Sequence, residues 1–197
     1  MIERNIKKLW EPLFDPVSVR PGMIIRQFED SDTEEYFALV KKNRPYLREH
    51  LTWLDQETLE QAKDFIRSTI LGFRARKKLI CGIFKNGKLI GTIGFREFDT
   101  MNNLAAVGYW LDCEYQGDGI MTDCVRKLFD YGFDHFGLNR IELCCDTSNI
   151  ASQTIAQKLG MVYEGTQRSA VWFYDHYKSI HGYSILKNEW NPRSDAP

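Results

Sequence analysis

The sequence predicts an α+β domain: a mixed, mostly antiparallel sheet flanked by helices. Three observations carry this. Apolar residues recur at helical 3–4 spacing early in the chain, then alternate in three consecutive strand-like runs joined by turn residues. The second half returns to helix–strand–helix–strand–strand order. The chain has 197 residues, 26 Lys+Arg against 27 Asp+Glu, and 43% apolar residues. One domain of that size buries about 70% of its unfolded surface and needs no staple or metal to fold.

Residues 1–22 are polar and hold Pro12, Pro16 and Pro21, which excludes a helix and suggests an arm. Met23–Phe28 reads as the first strand. Ser31-Asp32-Thr33-Glu34-Glu35 supplies a cap and acidic first turn for a helix to about Lys42. Pro45 separates it from a shorter helical piece around 46–54. Glu57 to about Lys77 is the longest helical pattern, with Leu59, Ala62, Phe65, Ile66, Thr69, Ile70 and Phe73 on one face. Asn86-Gly87 marks a tight hairpin between Leu79–Lys85 and Lys88–Phe98. After the turn at 99–103, Leu104–Leu111 completes a meander. A helix over Gly119 to about Phe136, a strand over Leu138–Asp146 and a helix over Asn149–Leu159 follow. Strands over Met161–Val171 and Tyr177–Leu186 end the domain, taken as 23–190, and residues 191–197 read as a disordered tail.

Composition excludes several classes. A net charge of −1 argues against a direct nucleic-acid binder, and no apolar run reaches membrane-span length. The basic N-terminus lacks the apolar stretch of a signal peptide, which points to the cytoplasm. The five cysteines, Cys81, Cys113, Cys124, Cys144 and Cys145, lie in or beside apolar runs without ligand spacing. They read as buried hydrophobes, with no metal site and no disulfide.

The chemistry is concentrated where Val107-Gly108-Tyr109-Trp110-Leu111 runs into Gln116-Gly117-Asp118-Gly119-Ile120-Met121-Thr122. A strand enters a glycine loop that opens a helix, and the free N–H groups of a helix start point at an anion. Such a loop suits a pyrophosphate, and it is neither a Walker loop nor G-x-G-x-x-G.

Gln116 and Gly119 after Gly108-Tyr109-Trp110 resemble the acetyl-CoA loop of the GNAT N-acetyltransferase superfamily. The resemblance continues through Asn139-Arg140-Ile141-Glu142, Asn149-Ile150-Ala151-Ser152, Ala156-x-Lys158-Leu159-Gly160-Met161-x-x-Glu164-Gly165 and Tyr183-Ser184-Ile185-Leu186. With Asn43-Arg44-Pro45-Tyr46-Leu47 and Leu51-Thr52-Trp53-Leu54, it is most similar to the RimJ/RimL-type branch, which acetylates ribosomal-protein N-termini. It implies a fourth and a fifth strand that splay apart around acetyl-CoA as co-substrate. The pantetheine would lie along Trp110 and Leu111, the pyrophosphate on the amides of 116–122, and Asn149 against the pantetheine or acetyl end. A primary amine would attack the thioester directly, a reaction that needs a base, an acid and an oxyanion donor.

Three positions depart from the family pattern. Met121 replaces the usual Gly or Ala, which a backbone contact tolerates. Ala156 stands where many relatives have an acidic tyrosine, so Ser152 is the expected acid. Ala105-Ala106 stand where many relatives carry a glutamate base. The base is therefore open: Glu97 leads, by alternation with Ile93 and Phe95, over Asp99, Glu142, His176, His181 and a water relay. Trp53, Tyr109 and Trp172 are the expected acceptor wall. The favoured acceptor is a protein α-amine. Polyamines, amino acids and aminoglycosides remain open, as do a non-catalytic acyl-CoA sensor, a ribosome-associated structural protein and a homodimer.

Overall fold

The computed structural model describes residues 14–52 and 58–192. Eight strands form one sheet in the order β1-β2-β3-β4-β5-β6-β8-β7. They are β1 Val17–Arg20, β2 Met23–Gln27, β3 Leu79–Lys85, β4 Lys88–Asp99, β5 Leu104–Leu111, β6 Arg140–Asp146, β7 Val162–Phe173 and β8 His176–Leu186. Every neighbouring pair is antiparallel except β5 with β6, whose connection passes through a helix as a parallel crossover must. Among the described residues the helices are α1 Thr33–Leu47, α2 Leu59–Arg74, α3 Ile120–Asp134 and α4 Ile150–Lys158. The expected mixed, mostly antiparallel sheet with flanking helices is the one observed.

Alternation divides the core into two layers. On one face, Phe84, Leu89 and Trp110 pack against Tyr36 and Val40 of α1 and Ala62 and Ile66 of α2. On the other, their neighbours Ile83, Ile90 and Leu111 join Cys124, Leu128 and Phe129 of α3 and Ala156 of α4. A one-residue slip in β3, β4 or β5 would exchange the two layers, which pins the register. The hairpin of β3 and β4 turns on Asn86 at φ 51° and Gly87 at φ 80°, the left-handed pair that a two-residue type I′ loop requires.

Three expectations change. Residues 17–20 are not irregular arm: they form β1, paired with β2 from Val17↔Ile25 to Arg20↔Met23. The first helix does not stop near Lys42 but passes Pro45 to Leu47. Buried Leu47 and the Tyr46 hydroxyl, donated to the Leu111 carbonyl, anchor the turn beyond the proline, so tertiary contacts override local helix breaking. Two of the five cysteines, Cys113 and Cys144, are exposed, while Cys81, Cys124 and Cys145 are buried and all five are free. Cys113 sits in the loop after β5, and Cys144 points away from the core where strand alternation turns it out.

Candidate active site

The sheet opens between β5 and β6. Their parallel pairing runs from Leu104↔Arg140 to Val107↔Leu143 and stops there. β5 continues through Gly108–Leu111 paired to β4 alone, while β6 continues through Cys144–Asp146 paired to β8. These are the fourth and fifth strands of the sequence reading, shifted one place by the added β1. A cleft of about 530 Å³ occupies the wedge, bounded by the end of α1, the end of β5, the start of α3 and the face of α4.

The floor of the cleft is the glycine loop. Gly117 lies at φ 91° and Gly119 at φ 72°, a region that an L side chain enters at a cost of about 1–2 kcal/mol. Gly119 is the N-cap of α3 and supplies no capping side chain. The N–H groups of Ile120, Met121 and Thr122 are those a helix leaves without intrahelical acceptors, and these residues line the cleft. The partial positive charge of the helix start adds to them, so the loop fits a pyrophosphate. Gln116 and Gly117 line it too, whereas Asp118 does not. The Asp118 carbonyl accepts from Arg20 Nη2 at 3.0 Å, so this expected cofactor contact is instead held from outside the cleft. Arg20 Nε also reaches Asp123 at 2.6 Å, which offsets the negative side chain in the first turn of α3. Arg20 belongs to β1, and only the pairing of the arm with the sheet reveals its role.

The wall formed by β5 is held from behind by α1. Lys42 Nζ meets Asp112 at 2.8 Å and Glu114 at 2.7 Å. Burial alone would raise the Asp112 carboxyl, but the Lys42 ammonium and the Glu114 N–H hold it below its ordinary range. The Cys113 N–H donates to Asn43 Oδ1 at 3.0 Å, and Asn43 Nδ2 donates to the Leu39 carbonyl. Tyr46 and Gln116 Nε2 both donate to the Leu111 carbonyl. Leu111 lines the cleft, but its carbonyl is thereby engaged inside the protein. The Trp110 ring is turned to the opposite layer against Tyr36, leaving its backbone as the part able to meet a pantetheine.

Across the wedge, Asn149 caps α4 through Oδ1, which accepts from the Ser152 N–H at 3.0 Å, so its Nδ2 remains available. Ser152 is buried and lines the cleft with Tyr109. The Tyr109 hydroxyl is buried without a hydrogen bond of normal geometry. Burial raises its ionisation range, against a smaller pull from the Ser152 hydroxyl. Asn149, Ser152 and Tyr109 are thus brought together as the residue pattern implied.

Other expected residues are not brought there. Glu97 is exposed, because a bulge between Phe95 and Glu97 breaks the alternation that would have carried it inward. Glu97 lies opposite Ala106, on the closed stretch of β5. Trp172 is 56% exposed on the hairpin of β7 and β8, packed edge-on to Tyr177, and does not line the cleft. Asp99 accepts from the N–H groups of its own turn. Glu142 is paired to Arg140, His181 meets the Thr166 hydroxyl, and His176 stands exposed beside Asp175. Trp53 lies outside the described residues. In their place His50 and Glu49, at the end of α1, line the acceptor end of the cleft. No spacing marks them, because their partners are distant in sequence.

Residues 23–162 match the family model described as an acetyltransferase (GNAT) domain. The chain belongs to the GNAT acetyltransferase family. As a GNAT enzyme it is an acyltransferase with acetyl-CoA as co-substrate. Bacillus subtilis YdaF is 30% identical over 87% of this chain and 95% of its own length. The ribosomal-protein-serine acetyltransferase of Escherichia coli K12 is 26% identical over 87% of this chain and 97% of its own. Among solved structures, the RimL ribosomal L7/L12 α-N-protein acetyltransferase, determined with coenzyme A, superposes with a TM-score of 0.85 at 24% identity. It covers 87% of this GNAT chain and 98% of its own, a likeness of fold.

Proposed function

We propose that this GNAT enzyme acetylates a protein N-terminal α-amine, with a ribosomal-protein-like chain as acceptor, by direct attack within a ternary complex in the cytoplasm. The observation that carries the reading is the wedge between β5 and β6, lined both by an uncapped helix start suited to an anion and by the segment after α1. Acetyl-CoA fits it with its pyrophosphate on the amides of Gly117 and of 119–122, since the Gln116 N–H is donated to the Cys113 carbonyl, and with its pantetheine along the β5 backbone. Asn149 Nδ2 meets the pantetheine or acetyl end, and the Ser152 hydroxyl donates a proton to the leaving thiolate. Tyr109 lines the wall beside Ser152, where its buried hydroxyl faces the acceptor as part of the wall. A protein terminus is favoured because the E. coli relative is a ribosomal-protein-serine acetyltransferase.

Acetyl transfer to a panel of Ser- and Ala-terminated peptides, spermidine and free amino acids tests the reading. Peptides are expected to be the best substrates, and a preference for spermidine or amino acids would overturn the acceptor. Ser152→Ala is expected to lower kcat about 100-fold while acetyl-CoA affinity holds. Tight acetyl-CoA binding with no turnover on any amine would favour a sensor instead.

A further inference from the structure

At the acceptor end of the cleft, His50 Nδ1 stands 2.6 Å from Asp146 Oδ2. His50 lies in the turn that follows α1 and Asp146 closes β6, 96 residues apart in sequence. Asp146 is 8% exposed and its other oxygen accepts from the Ser148 N–H at 2.9 Å and from the Ser148 hydroxyl. Burial pulls this carboxyl upward, but the hydrogen bonds from Ser148 and His50 outweigh it and hold it below its ordinary range. The carboxylate is therefore ionised and can only accept, so the neutral imidazole carries its proton on Nδ1. The lone pair of Nε2 then has no partner among the described residues, in a side chain that lines the cleft.

We infer that His50 is the general base of the reaction, with Asp146 as the positioning residue that sets its tautomer. This rests on the proposed acetyl transfer and supplies the proton acceptor that Ala106 cannot. His50 Nε2 takes one proton from the acceptor ammonium. The freed amine attacks the thioester carbon, and the C–S bond breaks as the C–N bond is kept. The second amine proton ends on the leaving sulfur through Ser152, and the imidazolium returns its proton to solvent. Lys178 of β8 approaches Asp146 at 3.9 Å while donating to the Glu49 carbonyl at 2.6 Å. Glu49 adjoins His50 on the same segment, and Lys158 of α4 lines the same cleft. His50 is thus the closer partner of Asp146, and Lys178 approaches the same oxygen from the β8 side. One short segment carries Asp146 through Ser148 to Asn149 and Ser152, so the residue that positions the base and the acid are set on either side of one loop.

The pH dependence of kcat/KM for the best amine tests the assignment, measured for wild type, His50→Gln, His50→Ala and Asp146→Asn. His50→Gln is expected to lose about 100-fold in kcat/KM and the base-dependent limb of the wild-type pH profile, with acetyl-CoA affinity unchanged. Free imidazole is expected to restore part of the His50→Ala rate, which a purely structural clamp would not allow. His176→Gln, on the exposed hairpin, controls for loss of any histidine. Wild-type rate and pH profile in His50→Gln would overturn the assignment, as would a loss that imidazole leaves untouched. The imidazole 15N spectrum of the wild-type protein separates this from the acceptor question. Should no amine be turned over, the proposed acceptor reading falls and the spectrum alone judges the pair. A neutral Nδ1–H tautomer sustains it, and an Nε2–H tautomer overturns it.

Discussion

Arg140 sits between two carboxylates, with Nε on Glu142 at 2.7 Å and a fork on Glu164. Glu164 also accepts from the Ser184 hydroxyl at 2.7 Å. Arg140 first, and Ser184 second, lower the Glu164 carboxyl to about 2. Its folded value lies below its unfolded value, so its contribution is present above the unfolded carboxyl range and fades as pH falls toward 2. Urea denaturation of Glu164→Gln against wild type is expected to show the widest stability gap above about pH 5 and a closing gap in acid. The side chain is 44% exposed, so water screens the pair and the gap is modest. A gap that widens in acid would contradict this linkage. Glu142 thereby leaves the list of bases, since its carboxylate is paired to the guanidinium that ties β6 to β7.

At the scale of the element, the start of α3 does two jobs with one glycine. Gly119 at φ 72° ends the loop and begins the helix, and its missing side chain leaves the first amides uncovered. Gly119→Ala puts a Cβ 3.5 Å from Arg20 Nη2, ordinary contact, so space is not the obstacle. The backbone region is, at about 1 kcal/mol or more. The variant is expected to melt lower and to bind acetyl-CoA more weakly by calorimetry. Unchanged affinity would show that the helix start does not hold the pyrophosphate. The end of α1 is a comparable device built by distant contacts. Lys42, Asn43 and Tyr46 grip the loop after β5, and that grip delivers Glu49 and His50 to the cleft despite Pro45.

At the scale of the molecule, β7 is the outer strand of the sheet and pairs only with β8. Val162, Tyr163, Val171 and Trp172 are 52%, 50%, 45% and 56% exposed along it. A long edge of this kind is a ready template for another chain, and we propose that a second copy of this chain can pair there. Light scattering is expected to give twice the 23.1 kDa chain mass, reduced toward one chain by Trp172→Lys. A monomeric mass at micromolar concentration would refute the assembly. Among the described residues no helix is long and apolar enough to cross a membrane.

Local chemistry made much of this fold legible. Asn86-Gly87 specifies its hairpin because only left-handed backbone closes a two-residue loop. β3 and β5 fall where alternation placed them, since a strand buried on both faces allows no register freedom. The glycine loop was readable as a strand–loop–helix start, a local feature that suits an anion, whereas Asn149 and Ser152 were singled out by the family resemblance. What sequence could not decide were relations between distant segments. The bulge that turns Glu97 outward arises from pairing with β5. The pairing of 17–20 with β2, and hence the reach of Arg20 to the loop, exists only once the sheet is assembled. His50 meets Asp146 only because α1 and β6 end at the same corner of the wedge. Near-neutral charge already allowed an anionic cofactor held by backbone amides. Which carboxylate stands beside which imidazole was settled by tertiary structure, since a proton-transfer pair is defined by distance, and distance is a property of the folded chain.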